Sequence, residues 1–244
     1  MEKYIQIYKE FRKKLKAYDY VKWLISWDME TEAPKKSNDY RSKQVQVLTE
    51  EAYKYQSDPG YISAIDYLFE HLEDIEDPDL KVEIKHQFKN LRIIKKVPKD
   101  EYIDYQVFLS SSSLVWAEAK EKDDFEMFAP VLEKVLTFNK KLVKYLETDD
   151  LKGYDILLDM YEEGFGVKEY DAFFNALKEE IVPFVLEVTT QNKQKFNRKL
   201  TKNVFPKEQQ EAFSKYLLNV FEYDLERGVL KESAHPFTSG CSTL

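Results

Sequence analysis

The sequence has few of the residues that covalent cross-links, tight turns and metal clusters require. Its one cysteine, Cys241, excludes an internal disulfide and is typical of a reducing compartment, so we expect a cytoplasmic protein. Six glycines in 244 residues are too few for a turn-dense β architecture. The three histidines, His71, His86 and His235, do not form the zinc-binding helix motif H-E-x-x-H.

The sequence also lacks the features that two classes of binding partner require. No run approaches the roughly 18 consecutive apolar residues that a membrane span needs, and the first twenty residues lack the apolar core of a signal peptide. The formal net charge is −8 and the pI is about 5.2, whereas a protein that binds a phosphate backbone carries a basic surface. We therefore expect neither a membrane nor a nucleic acid as partner.

Helical periodicity is what the chain does have. Hydrophobic residues make up 43% of it and charged residues 34%, a balance typical of a globular protein. The first segment spaces its apolar residues by four, three, four and three, which is one stripe of an amphipathic helix; the stripe is Tyr4, Tyr8, Phe11, Leu15 and Tyr18. The same spacing recurs in later segments. It predicts an all-α fold of about nine helices without a convincing strand, forming one elongated multi-helix domain over residues 1–244.

Local signals predict where several helices begin and end. Asp58-Pro59 and Asp77-Pro78 each combine a capping carboxylate with a proline that fits the first helical position. Val97-Pro98 ends a helix, because the residue before proline disfavours the α region. Pro183 lies inside a long apolar stripe and predicts a kink there. The last helix is predicted to begin after Pro206.

Three patterns that resemble chemical sites have a simpler structural interpretation. Glu83-x-x-His86 has the spacing that a helix contributes to a di-iron carboxylate bundle, but no second copy exists. The hydroxyls of Ser110–Ser113 are expected to bond to the preceding helical turn. Gly164-Phe165-Gly166 lacks the third glycine and the preceding strand of a phosphate loop.

The segment His235-Pro236-Phe237 is the best candidate for a functional site. It lies among small, turn-forming residues at the end of the helical pattern, and the proline would hold the histidine rigidly at a helix-to-loop junction. These three residues are predicted to line a substrate groove whose wall is formed by the helices. No catalytic residue and no metal ligand can be assigned from the sequence.

Four stretches, in order along the chain, carry a family resemblance: Trp27-Asp28-x-x-Thr31-x-x-Pro34; Trp116-Ala117 followed by Asp123-Asp124-Phe125-x-x-Phe128-x-Pro130; Tyr154-Asp155-x-Leu157-Leu158-Asp159-x-Tyr161-Glu162-x-Gly164; and Ser233-x-His235-Pro236-Phe237-Thr238. Together they resemble the carboxypeptidase Taq family of zinc metallocarboxypeptidases. The resemblance implies one wall of a saddle-like fold with a deep groove, a zinc ion, a peptide substrate shortened from its C-terminus with broad specificity, and a possible homodimer. His235 then contacts the substrate or organises the site.

The resemblance covers roughly the N-terminal half of a typical family member. In the family the H-P-F motif is followed by D-x-R-x-T, by H-E-x-x-H and by a further glutamate ligand, none of which this sequence contains. We therefore expect that the chain is the N-terminal part of a larger metallocarboxypeptidase, binds no zinc and is inactive by itself. Helices that pack on absent polypeptide would leave apolar surface uncovered and favour aggregation. The alternative is a non-enzymatic helical module that binds a peptide or a protein partner through the same groove.

Overall fold

The computed structural model describes residues 1–191 and 202–240. Within these ranges the chain is helical and contains no strand, which confirms the all-α prediction. The nine α-helices described are α1 (Glu2–Thr31), α2 (Asn38–Gln56), α3 (Pro59–Glu70), α4 (Pro78–Lys96), α5 (Lys99–Lys122), α6 (Phe125–Leu146), α7 (Asp155–Leu158), α8 (Val167–Gln191) and α9 (Lys207–Val220). Short 3₁₀ turns lie at Lys35–Ser37 and Leu72–Asp74.

The predicted start and stop signals are confirmed. Asp58 accepts a hydrogen bond from the amide of Gly60 at 2.8 Å, and Asp77 accepts one from the amide of Asp79 at 3.0 Å. Helix α4 ends at Lys96, directly before Val97-Pro98. Helix α8 continues through Pro183, so the proline does not end it, and a bend at this position stays a prediction.

The chain divides into two compact units, Met1–Gly166 together with Glu232–Leu244, and Val167–Lys231. That residues 1–244 form one domain stays a prediction. The main core of the first unit packs the four helices α1, α2, α3 and α4 together. Its fully buried members include Tyr8, Leu15 and Ile65. The apolar stripe predicted for α1 is therefore the face that this helix buries. A smaller cluster holds the end of α4 against α6 and α7; its buried members are Val97, Leu142, Leu146 and Ile156.

A half-buried ion pair lies at the edge of the main core. Arg12 Nε on α1 donates to Glu83 Oε1 on α4 at 3.0 Å, and Lys16 Nζ lies 3.6 Å from the same oxygen. Burial by itself would raise the pKa of Glu83, but the hydrogen bond from Arg12 and the two positive charges hold it below its usual value. Burial raises the pKa of the neighbouring Tyr61 to about 12. Glu83 is thus engaged in tying α1 to α4, which supports its structural interpretation.

The second unit consists of α8 and α9 as far as it is described, and none of the residues in either helix is buried. Its large apolar side chains are instead exposed, among them Phe173, Phe184 and Phe213 at 54%, 63% and 60%. The expectation of uncovered apolar side chains is confirmed for this unit, whereas aggregation stays a prediction. Across residues 1–191 and 202–240 no helix combines the length and the hydropathy that crossing a bilayer would require.

Asp159 fastens the segment after α7 to α4. Its Oδ2 lies 3.1 Å from Lys89 Nζ and 3.2 Å from Arg92 Nη2, and its Oδ1 accepts from the amide of Gly164 at 3.1 Å. Gly164 has φ +81°, a conformation that glycine adopts without strain. Burial opposes the charge on Asp159, but these hydrogen bonds and cations outweigh it and lower the pKa of the carboxyl group. The spacing of Asp159 and Gly164 in the sequence is therefore explained by a structural joint.

Replacing Asp159 by asparagine should lower the free energy of unfolding by about 2 kcal/mol at pH 7, because charge-assisted hydrogen bonds of a buried carboxylate are lost. A carboxyl group whose pKa is lowered by folding stabilises the protein above its unfolded pKa, about 3.9, and this stabilisation disappears as the pH falls through the folded pKa. Urea unfolding should therefore show a difference between wild type and Asp159→Asn that shrinks below about pH 4. Asp150→Asn, at an exposed aspartate, is the control. A difference that stays constant down to pH 3.5 would contradict this account.

Candidate functional site

Two tryptophans hold the segment Ser233–Gly240 (the His235 segment) against the helices of the first unit. Trp23 Nε1 on α1 donates to Ser239 Oγ at 3.2 Å. The indole of Trp116 on α5 meets the His235 ring edge to face, with centroids 5.8 Å apart. Within the segment, Ser233 Oγ donates to the carbonyl oxygen of His235 at 2.7 Å. The segment is thus tied to α1 near one end and to α5 near the other.

The surroundings of His235 fix which ring nitrogen carries the proton. Nδ1 lies 2.9 Å from the carbonyl oxygen of Pro236, and a carbonyl oxygen only accepts, so Nδ1 must be the donor. In the neutral imidazole Nε2 is then the unprotonated nitrogen, with its lone pair available to a hydrogen-bond donor. The side chain is exposed, and the neighbouring Phe237 is 43% exposed. The segment can therefore offer a ligand one oriented acceptor and one apolar surface.

The other two histidines lie apart from this segment. His71 Nδ1 bonds to the carbonyl oxygen of Tyr67 at 2.8 Å, and its ring stacks on that tyrosine at the end of α3. His86 is exposed on α4. In residues 1–191 and 202–240 no group of three His, Cys, Asp or Glu side chains is arranged to hold a metal ion. The residues described here do not fit a zinc site.

Two of the remaining signature stretches form joints between helices. In the first, Asp28 pairs with Arg41 at the start of α2, and Arg41 Nε donates to Ser37 Oγ at 2.9 Å, which fixes the turn from α1 into α2. In the second, Asp124 caps α6 by accepting from the amide of Met127 at 3.2 Å. Their role is to set the positions of the helices that carry Trp23 and Trp116.

A cavity of about 480 Å³ opens between α1, α2 and α5. On α5 it is lined by residues at steps of four, three and four, which is one face of the helix: Tyr102, Gln106, Leu109 and Ser113. Three residues further on the same face is Trp116, which contacts His235. On α1 the lining includes Trp23, which bonds to Ser239. The cavity therefore adjoins the His235 segment through Trp23, and on α5 its lining lies on the helix face that carries Trp116.

Of these site residues, His235, Pro236 and Phe237 were predicted from the sequence, while Trp23 and the cavity were not. Trp23 forms part of no motif by itself, and its hydrogen bond joins residues 216 positions apart. Residues so far apart in the chain share no local pattern that would signal their contact. The prediction that the serine hydroxyls bond to the preceding helical turn is confirmed for three of the four serines. Ser110, Ser111 and Ser112 donate to carbonyl oxygens of that turn.

The helical scaffold and its tethered segment belong to a class of metallopeptidase. The family model of carboxypeptidase Taq (M32) metallopeptidase matches residues 7–243, and the chain belongs to this family. Carboxypeptidase 1 of Bacillus subtilis is 35% identical over 227 residues, which are 93% of this chain and 45% of that protein. Thermostable carboxypeptidase 1 of Pyrococcus furiosus is 26% identical over 235 residues, which are 96% of this chain and 46% of that protein.

Solved structures agree with the sequence comparison. The crystal structure of BsuCP superposes with a TM-score of 0.89 at 33% identity, covering 98% of this chain and 48% of that one. The Apo-Mg structure of Pyrococcus furiosus carboxypeptidase gives a TM-score of 0.79 at 26% identity, covering 99% and 48%. The chain thus spans about half the length of the relatives it matches, and it does so with their fold.

If Trp23 ties down the His235 segment, Trp23→Phe should loosen it, because phenylalanine keeps an aromatic ring but has no N–H donor. Loss of one such hydrogen bond, worth about 0.5–1.5 kcal/mol, should make amide exchange within residues 233–240 about two- to tenfold faster. Mass-spectrometric hydrogen exchange measures this directly.

Trp27→Phe on the same helix is the matched control. Trp27 accepts a hydrogen bond through its backbone carbonyl, which Thr31 Oγ1 reaches at 2.8 Å and which the substitution leaves in place. Equal exchange rates of the 233–240 segment in both variants would contradict the tether.

Proposed function

We propose that this chain provides the helical wall and the H-P-F segment of the substrate groove of a zinc metallocarboxypeptidase, which removes C-terminal amino acids from peptides with broad specificity. The observation that supports this proposal most directly is that Trp23 and Trp116 hold the His235 segment beside an open cleft. Membership of a metallopeptidase family, and relatives named as carboxypeptidases, support this function over a non-enzymatic binding module.

In this proposal His235 positions the peptide substrate. Its Nε2 accepts a hydrogen bond from a donor on the substrate, such as a backbone N–H, while the bond from Nδ1 to Pro236 fixes the ring. Pro236 restricts the backbone beside it, and Phe237 contributes an apolar contact. A zinc ion would supply Lewis-acid chemistry at a scissile carbonyl. The described residues contribute no ligand to it, so the role of this chain is to bind and orient.

Further aspects of the proposal follow from the family resemblance and the composition. Zinc as the metal and a homodimer as the assembly rest on the resemblance carried by the four signature stretches. A cytoplasmic location rests on the single cysteine, Cys241, which is typical of a reducing compartment. Peptides are the expected partners, and the net charge of −8 speaks against a nucleic acid.

The 244 residues by themselves should not hydrolyse peptides, because the sequence contains no H-E-x-x-H to supply metal ligands and a general base. The measurement is release of C-terminal amino acids from a blocked peptide, with and without added zinc. Zinc-dependent release by the purified chain would show that this division of roles is wrong.

A chimera tests the function itself. This chain replaces the matching 227 residues of Bacillus subtilis carboxypeptidase 1, and C-terminal release is measured before and after treatment with a chelator. We expect chelator-sensitive activity that zinc restores. His235→Ala should lower kcat/KM by about 10- to 100-fold, the loss of one oriented hydrogen bond to substrate, and His235→Gln should restore part of it.

His86→Ala is the control, because His86 is exposed on α4 away from the segment. A folded chimera without activity, or one in which His235→Ala and His86→Ala behave alike, would contradict the proposed role.

A further inference from the structure

We infer that the cavity between α1, α2 and α5 is a second part of the binding site, which takes the residues of a peptide upstream of the bond to be cut, and that Glu30 selects for a basic side chain there. This inference rests on the proposed function, because it assigns the ligand of the same groove. It starts from polar groups in the cavity that folding leaves without partners.

Several hydrogen-bonding groups line the cavity without using their capacity inside the protein. Thr49 is 5% exposed, and its hydroxyl makes no hydrogen bond with any residue in the described part of the chain. The hydroxyl of Ser113 likewise has no partner among the described residues, in contrast to those of the three serines before it. Buried polar groups are nearly always hydrogen-bonded in folded proteins. The Thr49 hydroxyl is not sealed inside the protein but can be reached from the open cavity, so a ligand that enters the cavity can bond to it.

The same cavity also has an apolar surface beside these polar groups. Val45, Met29 and Leu109 contribute aliphatic surface from α2, α1 and α5 respectively. A lining that mixes apolar side chains with a few hydroxyls and an amide suits a ligand with regularly spaced N–H and C=O groups and side chains between them. An extended peptide is such a ligand. The volume of about 480 Å³ lies within the usual range for a small-ligand site.

The geometry of α5 connects this cavity to the His235 segment. Ser113 is three residues before Trp116, about 4.5 Å along the helix axis at 1.5 Å per residue. Tyr102, at the far end of the row, is about 16 Å further on by the same rise. An extended peptide rises about 3.3 Å per residue, so about five residues of a peptide that also contacts His235 would span the row from Ser113 to Tyr102.

The charged side chains that line the cavity leave one negative charge without an opposite charge beside it. Asp19 pairs with Lys22 at 3.5 Å, so these two charges largely balance. Glu30 also lines the cavity and makes no ion pair with any side chain described for this structure. It is half-buried, which reduces the screening of its charge by solvent. A lysine or arginine of the peptide that reaches this carboxylate gains an ion pair, whereas an acidic residue is repelled.

The test measures binding of fluorescent hexapeptides to the 244-residue chain. The peptides are of alanine and serine, and one lysine is moved through the four positions before the C-terminal residue, with glutamine at the same position as reference. At one position lysine should bind about two- to fivefold more tightly than glutamine, the range of a solvent-accessible ion pair. Glu30→Gln should remove this preference. Glu76→Gln, at an exposed glutamate between α3 and α4, should keep it.

Thr49→Val gives an independent readout. Valine has nearly the shape of threonine without the hydroxyl, so it should weaken binding of all the peptides about two- to tenfold, the loss of one hydrogen bond. Because the hydroxyl has no partner among the described residues, the same change should leave the thermal midpoint of unfolding unchanged or raise it. A lower midpoint with unaltered peptide binding would overturn the assignment of Thr49, and a lysine preference that survives in Glu30→Gln would overturn that of Glu30.

Two outcomes separate this inference from the proposed function. If peptides bind to the wild-type chain and His235→Ala weakens them, while Glu30→Gln and Thr49→Val have no effect, only the upstream subsite is wrong. If the folded wild-type chain binds none of the peptides, the proposed groove is wrong and the subsite with it.

Discussion

Burial of one face of α1 is the constraint on which the arrangement of the site depends. In the first half of this helix the buried face carries Tyr8 and Leu15, which are 1% and 2% exposed, and the hydrophobic effect fixes the rotation of the helix about its axis. The helix continues to Thr31, so the direction of every later side chain is fixed as well. Trp23 and Glu30 line the cavity because Tyr8 and Leu15, about two to six turns earlier, are held in the core.

The same reasoning explains how apolar packing gives way to a cavity along a single helix. Leu15 is buried, but four residues later the position is Asp19, which is charged and lines the cleft beside its partner Lys22. On α2 the same transition from cavity to core occurs within two helical turns. Val45 and Thr49 both line the cavity, and Ala52 lies in the core. Small or polar residues on buried faces leave unfilled volume between the helices. A ligand, and not another side chain, completes the packing there in our interpretation.

Much of the fold could be predicted from the sequence because its signals are local. The four-three spacing in α1, the aspartate caps at Asp58 and Asp77, and the proline after Val97 each depend on residues within one or two helical turns. The H-P-F segment was also identified as a candidate site, since its composition differs from the helices around it. The cavity could not be predicted, because α1, α2 and α5 each give it a few residues whose convergence depends on packing. The role of Asp159 was missed for a related reason, since its partners Lys89 and Arg92 lie about 70 residues earlier.

The hydrogen bond from Trp23 to Ser239 has a consequence for the order of folding. It closes a loop of 216 residues that contains the whole second unit, Val167–Lys231, as an insertion between two parts of the first. The entropy of closing a loop grows only slowly, by about 0.6 kcal/mol for each doubling of its length, so the insertion adds little to the equilibrium cost. Contacts between distant residues nevertheless form slowly. The helices of the first unit can therefore assemble while the chain is still being synthesised, and the histidine reaches its place only after everything between the two anchors has emerged.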